Sequence, residues 1–534
     1  MSATPAMTEA IVGTPSEAMP RRSSAQTRQF REQISHVSRH SSIFFLGTIF
    51  TAAAGYVFKI YLARVLGAEA LGIYTLGITI VGFVGVFNAL GLPQAAVRFV
   101  ATYSATGKLQ RLGAFLISST FLLLVLNLAL ATLMLLIGPA IAMRFYHTSD
   151  LVPYMGLLAA IMLLGGLNSF LGQVLAGYKD IIRRTVITNF ICSPVSIGIT
   201  VLLVTLGTGL WGYVFAQVAS AAIVFVLLVV NVWKLTPREA FANVSGLARL
   251  EPEVISFSAA AFGMGFLEFV MSQGDKVLIG FYLNVRSVGI YAVSAALVTF
   301  IPILLQSVNQ IFSPVIADLH ARGERELLQR LFQTLTKWVL GLTLPLAISV
   351  ILFAKPLMGM FGQAFEPGWP ILVIGTAAQL VNCGVGSVGY LLLMSGQQHR
   401  LVRVQTVCAV LMLLLNFVLV PRWGITGAAV AAAATTVMAN LMSLIEVRRS
   451  LRLSPYNRGY LGLAPPVLAS SAIAFAIRVA LPTAGPKWLV IVLTLSYLTF
   501  LGTAALCGLD ADDRLIRRAL MGRLQGKFWQ AKYS

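Results

Sequence analysis

Charged side chains stand inside apolar stretches that are long enough to cross a bilayer, and these residues are the ones most able to do chemistry. Glu268 lies near the middle of one such stretch, and Asp275 follows on the same stretch. An ionised side chain at mid-bilayer costs about 2.5–3.5 kcal/mol, so these carboxyls must face water or a partner. A desolvated carboxyl can bind and release a proton, which suits a site that couples ion movement to transport. A static ion pair of Glu268 with Lys59 or Lys276 explains the sequence equally well.

Basic side chains near these carboxyls could bind an anion. Lys59, Arg64 and Lys276 are expected near the outer end of a membrane cavity, and Arg98 near its inner end. Each can donate charge-assisted hydrogen bonds to a phosphate or an acidic sugar. Two other interpretations stay open: the first three side chains could simply reach to the headgroup region, and Arg98 could contact a lipid headgroup or only set the topology.

Polar residues on the same stretches form stripes at helical spacing. Asn88 and Asn309 occupy matching positions of two predicted helices, where an amide can contact a substrate or only join two helices by hydrogen bonds. The stripes contain Thr48, Thr51, Gly55 and Lys59 in the first predicted span, and Gly265, Glu268, Ser272 and Asp275 in the seventh. Together these faces predict a polar groove between two halves of the protein.

An internal repeat relates the helices that must position these residues. The tripeptide Gly-Ile-Tyr occurs at Gly72–Tyr74 and again at Gly289–Tyr291, an offset of 217 residues, and the same offset aligns Lys59 with Lys276. Repeats of this size in membrane proteins are typical of transporters whose substrate path runs between two related halves.

The composition requires a membrane environment. Hydrophobic residues make up 57% of the 534 residues and charged residues only 11%, which is too apolar for a soluble core. A spanning helix needs about 20 apolar residues, and about fourteen stretches qualify, which predicts an all-α integral membrane protein. The stretches are approximately 42–63, 71–92, 112–136, 152–175, 186–206, 210–232, 256–274, 288–311, 332–353, 369–393, 403–420, 424–445, 461–481 and 487–507.

The number of spans between the two copies fixes their relative orientation. Six spans separate the Gly-Ile-Tyr tripeptides, and an even number returns the chain to the same side of the membrane. The halves should therefore be parallel six-helix lobes around a central cleft. Two extra helices would follow at the carboxy-terminal end. The predicted domains are a cytoplasmic, disordered tail at 1–41, an N-lobe at 42–233, a cytoplasmic linker at 234–255, a C-lobe at 256–447, additional helices at 461–508 and a cytoplasmic tail at 509–534. Within the first tail, residues 29–40 could instead form an interfacial helix.

Lysine and arginine set the predicted topology. They are concentrated in the amino-terminal tail and in alternate short loops, and such loops face the cytoplasm. The sequence therefore predicts a multi-pass protein of a bacterial cytoplasmic (inner) membrane with both termini inside. The net charge of +20 follows from this arrangement, and because the basic residues are dispersed, nucleic-acid binding is disfavoured.

The remaining reactive residue types predict neither an enzyme nor a metal or cofactor site. The four cysteines lie singly inside apolar spans, and the five histidines lie in tails or loops without the spacing of metal ligands. The sequence also has no Gly-Lys-Ser/Thr phosphate loop, so direct ATP hydrolysis by this chain is disfavoured.

Several short motifs together resemble the polysaccharide branch of the multidrug/oligosaccharidyl-lipid/polysaccharide exporter superfamily, over roughly residues 40–450. They are Leu62–Gly67 with Leu71–Tyr74, Gly91–Pro93 with Arg98, Asp275–Gly280 with Val288–Tyr291, and Asn416–Pro421 with Gly424–Ala429. The resemblance implies a flippase that moves undecaprenyl-pyrophosphate-linked oligosaccharide repeat units across the membrane for O-antigen, capsule or exopolysaccharide synthesis. Its partners would be the lipid-linked oligosaccharide, membrane lipids, a proton or sodium ion, and a polysaccharide polymerase and glycosyltransferases.

Three alternatives remain from the sequence. A lipid II flippase has the same number of spans. A cation-coupled multidrug antiporter of the same superfamily typically carries an acidic residue in its first span, and residues 42–63 contain none. A membrane scaffold without transport activity has no reason to keep charges inside the bilayer.

Overall fold

The computed structural model describes residues 24–241, 250–481 and 487–506, with side chains for nearly all of them from residue 55 onwards. Residues from Val57 onwards form one compact unit, and the contacts below lie within it. The predicted tail at 509–534 and part of the predicted linker lie outside the described residues, and the first helix begins at Ser24, inside the tail predicted for 1–41.

The described residues form helices and connections, without strands. The helices are α1 (Ser24–Ala89), α2 (Leu92–Ala105), α3 (Leu109–Ala140), α4 (Met155–Gly177), α5 (Ile181–Thr185), α6 (Cys192–Thr205), α7 (Gly209–Leu235), α8 (Pro252–Tyr282), α9 (Val285–Val298), α10 (Ile303–Ala321), α11 (Arg325–Leu352), α12 (Ala354–Gly359), α13 (Trp369–Val385), α14 (Val388–Met394), α15 (Gln398–Ser450), α16 (Ala464–Ala480) and α17 (Lys487–Leu506). Single π-helical segments extend α3 and join α5 to α6. The predicted all-α membrane fold is confirmed.

Glycine breaks explain the difference between the predicted and observed numbers of spans. Eleven described helices are long and apolar enough to cross a membrane, or twelve if α9 and the start of α10, which meet at 52°, count as one bent span. Two of the eleven cover 51 and 53 residues, far more than the roughly 20 that a bilayer requires. Each contains a glycine with non-helical dihedral angles, Gly67 (φ 80°, ψ 176°) and Gly424 (φ 59°, ψ −140°). With the bent pair counted as one span, dividing the two long segments at these glycines raises the count among the described residues from twelve to fourteen, the number that the sequence predicted.

Backbone turns recur at equivalent positions of the two repeats. Left-handed backbone conformations, which glycine adopts most easily, recur at offsets of 216 or 217 residues. The matched positions are Gly107 with Gly323, Lys179 with Gly396, and Gly207 with Gly424. The repeat seen in the tripeptides is therefore also a repeat of helix ends.

The two repeats meet through reciprocal contacts at corresponding positions. A Cβ atom added to Gly72 would collide with the backbone carbonyl of Val285, and one added to Gly289 would collide with the carbonyl of Ala68. Since Val285 is the repeat equivalent of Ala68 and Gly289 that of Gly72, each half offers the same surface to the other. Such a reciprocal pattern is the mark of a twofold interface. The halves are thus related by a pseudo-twofold axis, and the six spans of the described residues between the two tripeptides make them parallel, as the sequence predicted.

Apolar clusters fill each half and the contact between them. One cluster joins both halves, with Leu76 and Ile279 among its fully buried members. The extra helices α16 and α17 pack on α11, where Phe500 contacts Gly341 and the Tyr497 hydroxyl donates to the Leu342 carbonyl at 2.9 Å. The last two helices therefore belong to the second half.

We expect Gly72→Ala and Gly289→Ala each to lower the free energy of unfolding by about 1–3 kcal/mol, because the added methyl group meets backbone that cannot rotate away. Thermal unfolding of the purified protein in detergent measures this. The matched control is Gly389→Ala, where a Cβ atom meets open space. Equal stability of all three variants would contradict the reciprocal contact.

Candidate functional site

A polar pocket lies between the second part of α1, the start of α2 and the middle of α8. Its volume is about 300 Å³, and Glu268, Ser272, Gln273 and Gln94 supply its polar wall. Small residues such as Gly265 make room for it on the α8 side. Glu268 is an exposed side chain here, so three members of the predicted stripe of the seventh span, Gly265, Glu268 and Ser272, line a cavity.

Helix α8 positions these residues because of how it begins and ends. Pro252 stands in its first turn, where the missing N–H costs nothing, and the backbone becomes extended at Leu283. Between these ends Glu268, Ser272 and Lys276 are spaced four residues apart, which places them on one face.

Lys276 is held by its own helix. Its Nζ donates to the backbone carbonyl of Ser272 at 2.9 Å and to Oε1 of Gln273 at 2.7 Å. Among the described residues no ion pair joins Lys276 to Glu268, and the ammonium is instead engaged at Ser272 and Gln273. The ammonium therefore lies next to the pocket and beside two of its polar residues.

Asp275 lies on a different face of α8 and does not line the pocket. It is buried, its Oδ2 accepts the Tyr291 hydroxyl at 2.6 Å, and its Oδ1 accepts the Lys276 backbone N–H at 2.7 Å. This carboxyl thus fastens α8 to α9, and Tyr291 is the tyrosine of the second Gly-Ile-Tyr tripeptide.

The remaining predicted cations are spread over both ends of the unit. Lys59 and Arg64 are exposed on α1, and Arg64 Nε donates to the Met360 carbonyl at 2.8 Å. Arg98 is exposed on α2 and forms an ion pair with Glu253 at 2.7 Å. Of the four predicted cations, only Lys276 has a hydrogen bond among the described contacts that places it beside the Glu268 pocket.

A small ionic network joins the start of α8 to α2 and α3. Besides the Arg98 pair, Glu251 accepts the Tyr103 hydroxyl at 3.0 Å and lies 3.5 Å from Arg111. Sequence reasoning missed both glutamates, although two carboxylates flanking Pro252 in a chain with only 19 acidic residues are a visible signal. Exposed pairs of this kind contribute at most about 1 kcal/mol each, so they can open and close at little cost.

The two predicted amides lie inside the helix bundle. Asn88 is buried and its Nδ2 donates to the Met162 carbonyl at 3.2 Å, while Asn127 donates to the Asn88 carbonyl at 3.1 Å. Asn309 is also buried, and its Oδ1 has no hydrogen-bond partner among the described residues. The geometry at Asn88 favours the interpretation that this amide holds the helices together.

An aromatic seam separates the polar pocket from an apolar groove. Phe83 of α1 lies 5.7 Å from Phe269, and Phe87 lies 5.6 Å from Phe262, measured between ring centres. Both rings of α1 also line a groove of about 770 Å³ between α1 and α3, whose walls are almost entirely apolar. Tyr146 also lines this groove. No pattern in the sequence pointed to this seam, since phenylalanine is common throughout the chain.

Comparison with known proteins decides the family. Residues 61–368, more than half of the chain, match the family described as "Polysaccharide biosynthesis protein". The chain belongs to this family. The polysaccharide branch of the exporter superfamily, expected from the motifs, is confirmed.

Several relatives of this chain carry names related to glycan synthesis and transport. It is 21% identical over 398 residues to the "Probable low-salt glycan biosynthesis flippase Agl15" of Haloferax volcanii, covering 74% of this chain and 80% of that protein. It is 26% identical over 325 residues to the "Succinoglycan biosynthesis transport protein ExoT" of Rhizobium meliloti, covering 58% and 60%.

Solved structures share the fold of this family member. It aligns with the lipid II flippase MurJ in an inward closed conformation at a TM-score of 0.67 and 15% identity, covering 87% of this chain and 98% of that one. An inward-facing multidrug resistance MATE family transporter aligns at a TM-score of 0.60 and 14% identity, covering 74% and 94%. At these identities the likeness establishes the fold alone.

We expect Asp275→Asn and Tyr291→Phe each to lower the free energy of unfolding by roughly 1–3 kcal/mol, because each leaves a buried polar group without its partner. Glu268→Gln should change stability by less than about 0.5 kcal/mol, since its side chain is exposed in the pocket. Thermal unfolding in detergent provides the comparison. The double variant Asp275→Asn/Tyr291→Phe should cost less than the sum of the single changes, and strict additivity would argue against the bond.

Proposed function

We propose that this protein flips a lipid-linked oligosaccharide, carried on undecaprenyl pyrophosphate, from the cytoplasmic to the outer leaflet of a cytoplasmic membrane. The single observation that carries the proposal is the pseudo-twofold contact between two parallel halves, together with a polar pocket containing Glu268 that lies further along α1. In this arrangement the halves can rock about the pocket and expose it to one side at a time.

The chemistry of the cargo fits the two kinds of surface next to each other. A sugar pyrophosphate is polar and anionic and needs water and cations, which the Glu268 pocket and the neighbouring Lys276 supply. A polyprenyl chain is apolar and can stay in lipid or in the groove behind Phe83 and Phe87. Separation of the four rings of the aromatic seam would open a lateral passage between the two surfaces.

The predicted site residues have distinct roles in this proposal. Lys59, Arg64, Arg98 and Lys276 bind phosphate or acidic sugar at successive stages, and Glu268 exchanges a proton or binds a sodium ion while it faces water. Asp275 transmits changes on α8 to α9 through Tyr291. The flipped repeat unit would then pass to a polymerase, after glycosyltransferases have assembled it.

Replacing Lys276 by Gln should lower the rate of flipping roughly tenfold or more, since a charge-assisted hydrogen bond contributes about 1.5–3 kcal/mol. The rate is measured in reconstituted vesicles with a fluorescent lipid-linked oligosaccharide. In the same vesicles, Glu268→Gln should make the rate of flipping independent of an ion gradient. Arg449→Gln removes an exposed charge outside the pocket and serves as control. Unchanged flipping by Lys276→Gln and Lys59→Gln, with normal insertion, would remove these lysines from the mechanism.

Linking the two halves at their contact should stop flipping. The reference is the unlinked Gly72→Cys/Val285→Cys protein, in a chain without its four natural cysteines, because a Cβ atom at position 72 already strains the contact. We expect its remaining transport to stop when a short reagent joins the two thiols, and to return to the unlinked level on reduction. The control pair, Gly77→Cys with Leu158→Cys, joins neighbours within the first half. Continued flipping by fully linked Gly72→Cys/Val285→Cys would contradict alternating access through this contact.

A further inference from the structure

A second polar pocket lies at one end of the second half, away from the Glu268 pocket. The end of α10, the start of α11 and the segment after α15 enclose about 360 Å³. Its polar lining includes His320, Arg325 and Arg452, and no acidic residue is among the described residues that line it. The nearby carboxylate of Asp318 forms an ion pair with Arg322 at 2.9 Å, so its charge is already compensated.

Specific hydrogen bonds build the wall of this pocket. Arg325 donates to the backbone carbonyl of Arg452 at 2.8 Å. One turn further along α11, Gln329 donates to the Ser454 carbonyl at 2.6 Å and accepts the Ser454 N–H at 3.0 Å. The segment that follows α15 is therefore fastened to α11, and the two arginines are held on the same cavity. A guanidinium has five N–H donors, so the bond to Arg452 leaves donors of Arg325 for a ligand.

The backbone of Arg452 is held in an unusual conformation. Its φ of 53° lies in the left-handed region, which residues other than glycine seldom adopt and which costs about 1–3 kcal/mol when the surroundings impose it. Glycine would occupy such a position without this cost. Arginine occupies this position in spite of the strain, and it lines the pocket. We therefore expect its cationic side chain to contact a ligand.

The floor of the pocket is apolar. Leu319 and Leu328 line it and belong to the buried cluster around Phe312 and Phe332. Helix α11 is long and apolar enough to span the bilayer and begins at Arg325, so the pocket lies where a membrane-spanning helix reaches the water interface. A cationic rim over an apolar floor at this depth matches the headgroup and first chain carbons of a phospholipid.

The two arginines of the pocket have no basic counterparts at the equivalent positions of the first half. The repeat offset of 216 residues that pairs Gly323 with Gly107 also pairs Arg325 with Leu109 and Arg452 with Thr236. Basic residues do stand close by in the first half, at Lys108 and Arg238, so the argument for a binding site rests on the pocket that Arg325 and Arg452 both line.

We propose that this pocket binds the phosphate of an anionic membrane lipid. Basic pockets between membrane helices recognise such headgroups through charge and hydrogen bonds. The assignment is independent of the cargo proposed for the Glu268 pocket, since none of its residues is shared with that site.

Native mass spectrometry of the purified protein in detergent tests this with phosphatidylglycerol as the probe. We expect stepwise lipid adducts on the wild type, and about thirtyfold weaker binding to Arg325→Gln/Arg452→Gln, as for two basic side chains at a membrane surface. Arg403→Gln/Arg449→Gln removes the same charge from exposed residues that do not line the pocket and should bind like the wild type. Because Arg325 also supports the loop, Arg452→Gln alone is measured as a milder change and should weaken binding severalfold.

The controls separate the sources of the phosphate. Zwitterionic phosphatidylcholine should give few adducts, and millimolar inorganic phosphate should not displace phosphatidylglycerol. Equal adducts with both lipids, equal loss in the two double variants, or full displacement by inorganic phosphate would each overturn the assignment. Flipping activity is not part of the readout, so failure of the cargo proposal leaves this result intact.

Discussion

The close approach of two backbones at Gly72 and Gly289 is the constraint on which the structure depends. Each glycine lies against a carbonyl of the opposite half, and only a residue without a Cβ atom permits that distance. Because the contact is reciprocal, it fixes the axis that relates the halves and the depth at which their helices cross. The pocket with Glu268 and the seam of phenylalanines lie further along α1 and on α8, the helix that directly precedes α9. The contact between α1 and α9 therefore helps to set their positions.

Buried close approaches and weak, exposed ion pairs both hold the halves together. The glycine contact joins apolar surfaces that are buried on both sides, and a second close approach brings Gly91 of α2 against the Ser258 carbonyl of α8. The network around Glu251 and Glu253, on the same two helices as that second approach, is exposed to water. Water competes for the ion pairs at every moment, while separation of the buried contacts exposes apolar surface. The ion pairs alone therefore cost little to break, and the cost of opening either end lies mainly in its buried backbone contact.

The sequence predicted the fold well because helices in a bilayer satisfy their own hydrogen bonds and must be long and apolar. It also predicted the parallel repeat, since the motif Gly-Ile-Tyr carries the glycine that the contact requires. The stripe on α8 was only partly predicted: helical spacing places Glu268 and Ser272 on the pocket, but it cannot tell that Asp275 turns to Tyr291 sixteen residues later. The partners of Arg98 and the pocket around Arg452 depend on which loops meet in space, and a single sequence does not record that.

The Asp275 to Tyr291 bond has no counterpart in the first half. The residue equivalent to Asp275 is Phe58, and the residue equivalent to Glu268 is Thr51; Tyr74, the partner of Tyr291 in the repeat, instead packs against the ring of Tyr213. An ancestral duplication would have produced two interchangeable copies, related by an axis that exchanges the halves and leaves the two sides of the membrane distinct. Because both carboxyls are now confined to one copy, any change in their protonation would act on that copy alone, and divergence at two positions suffices to make the halves chemically different.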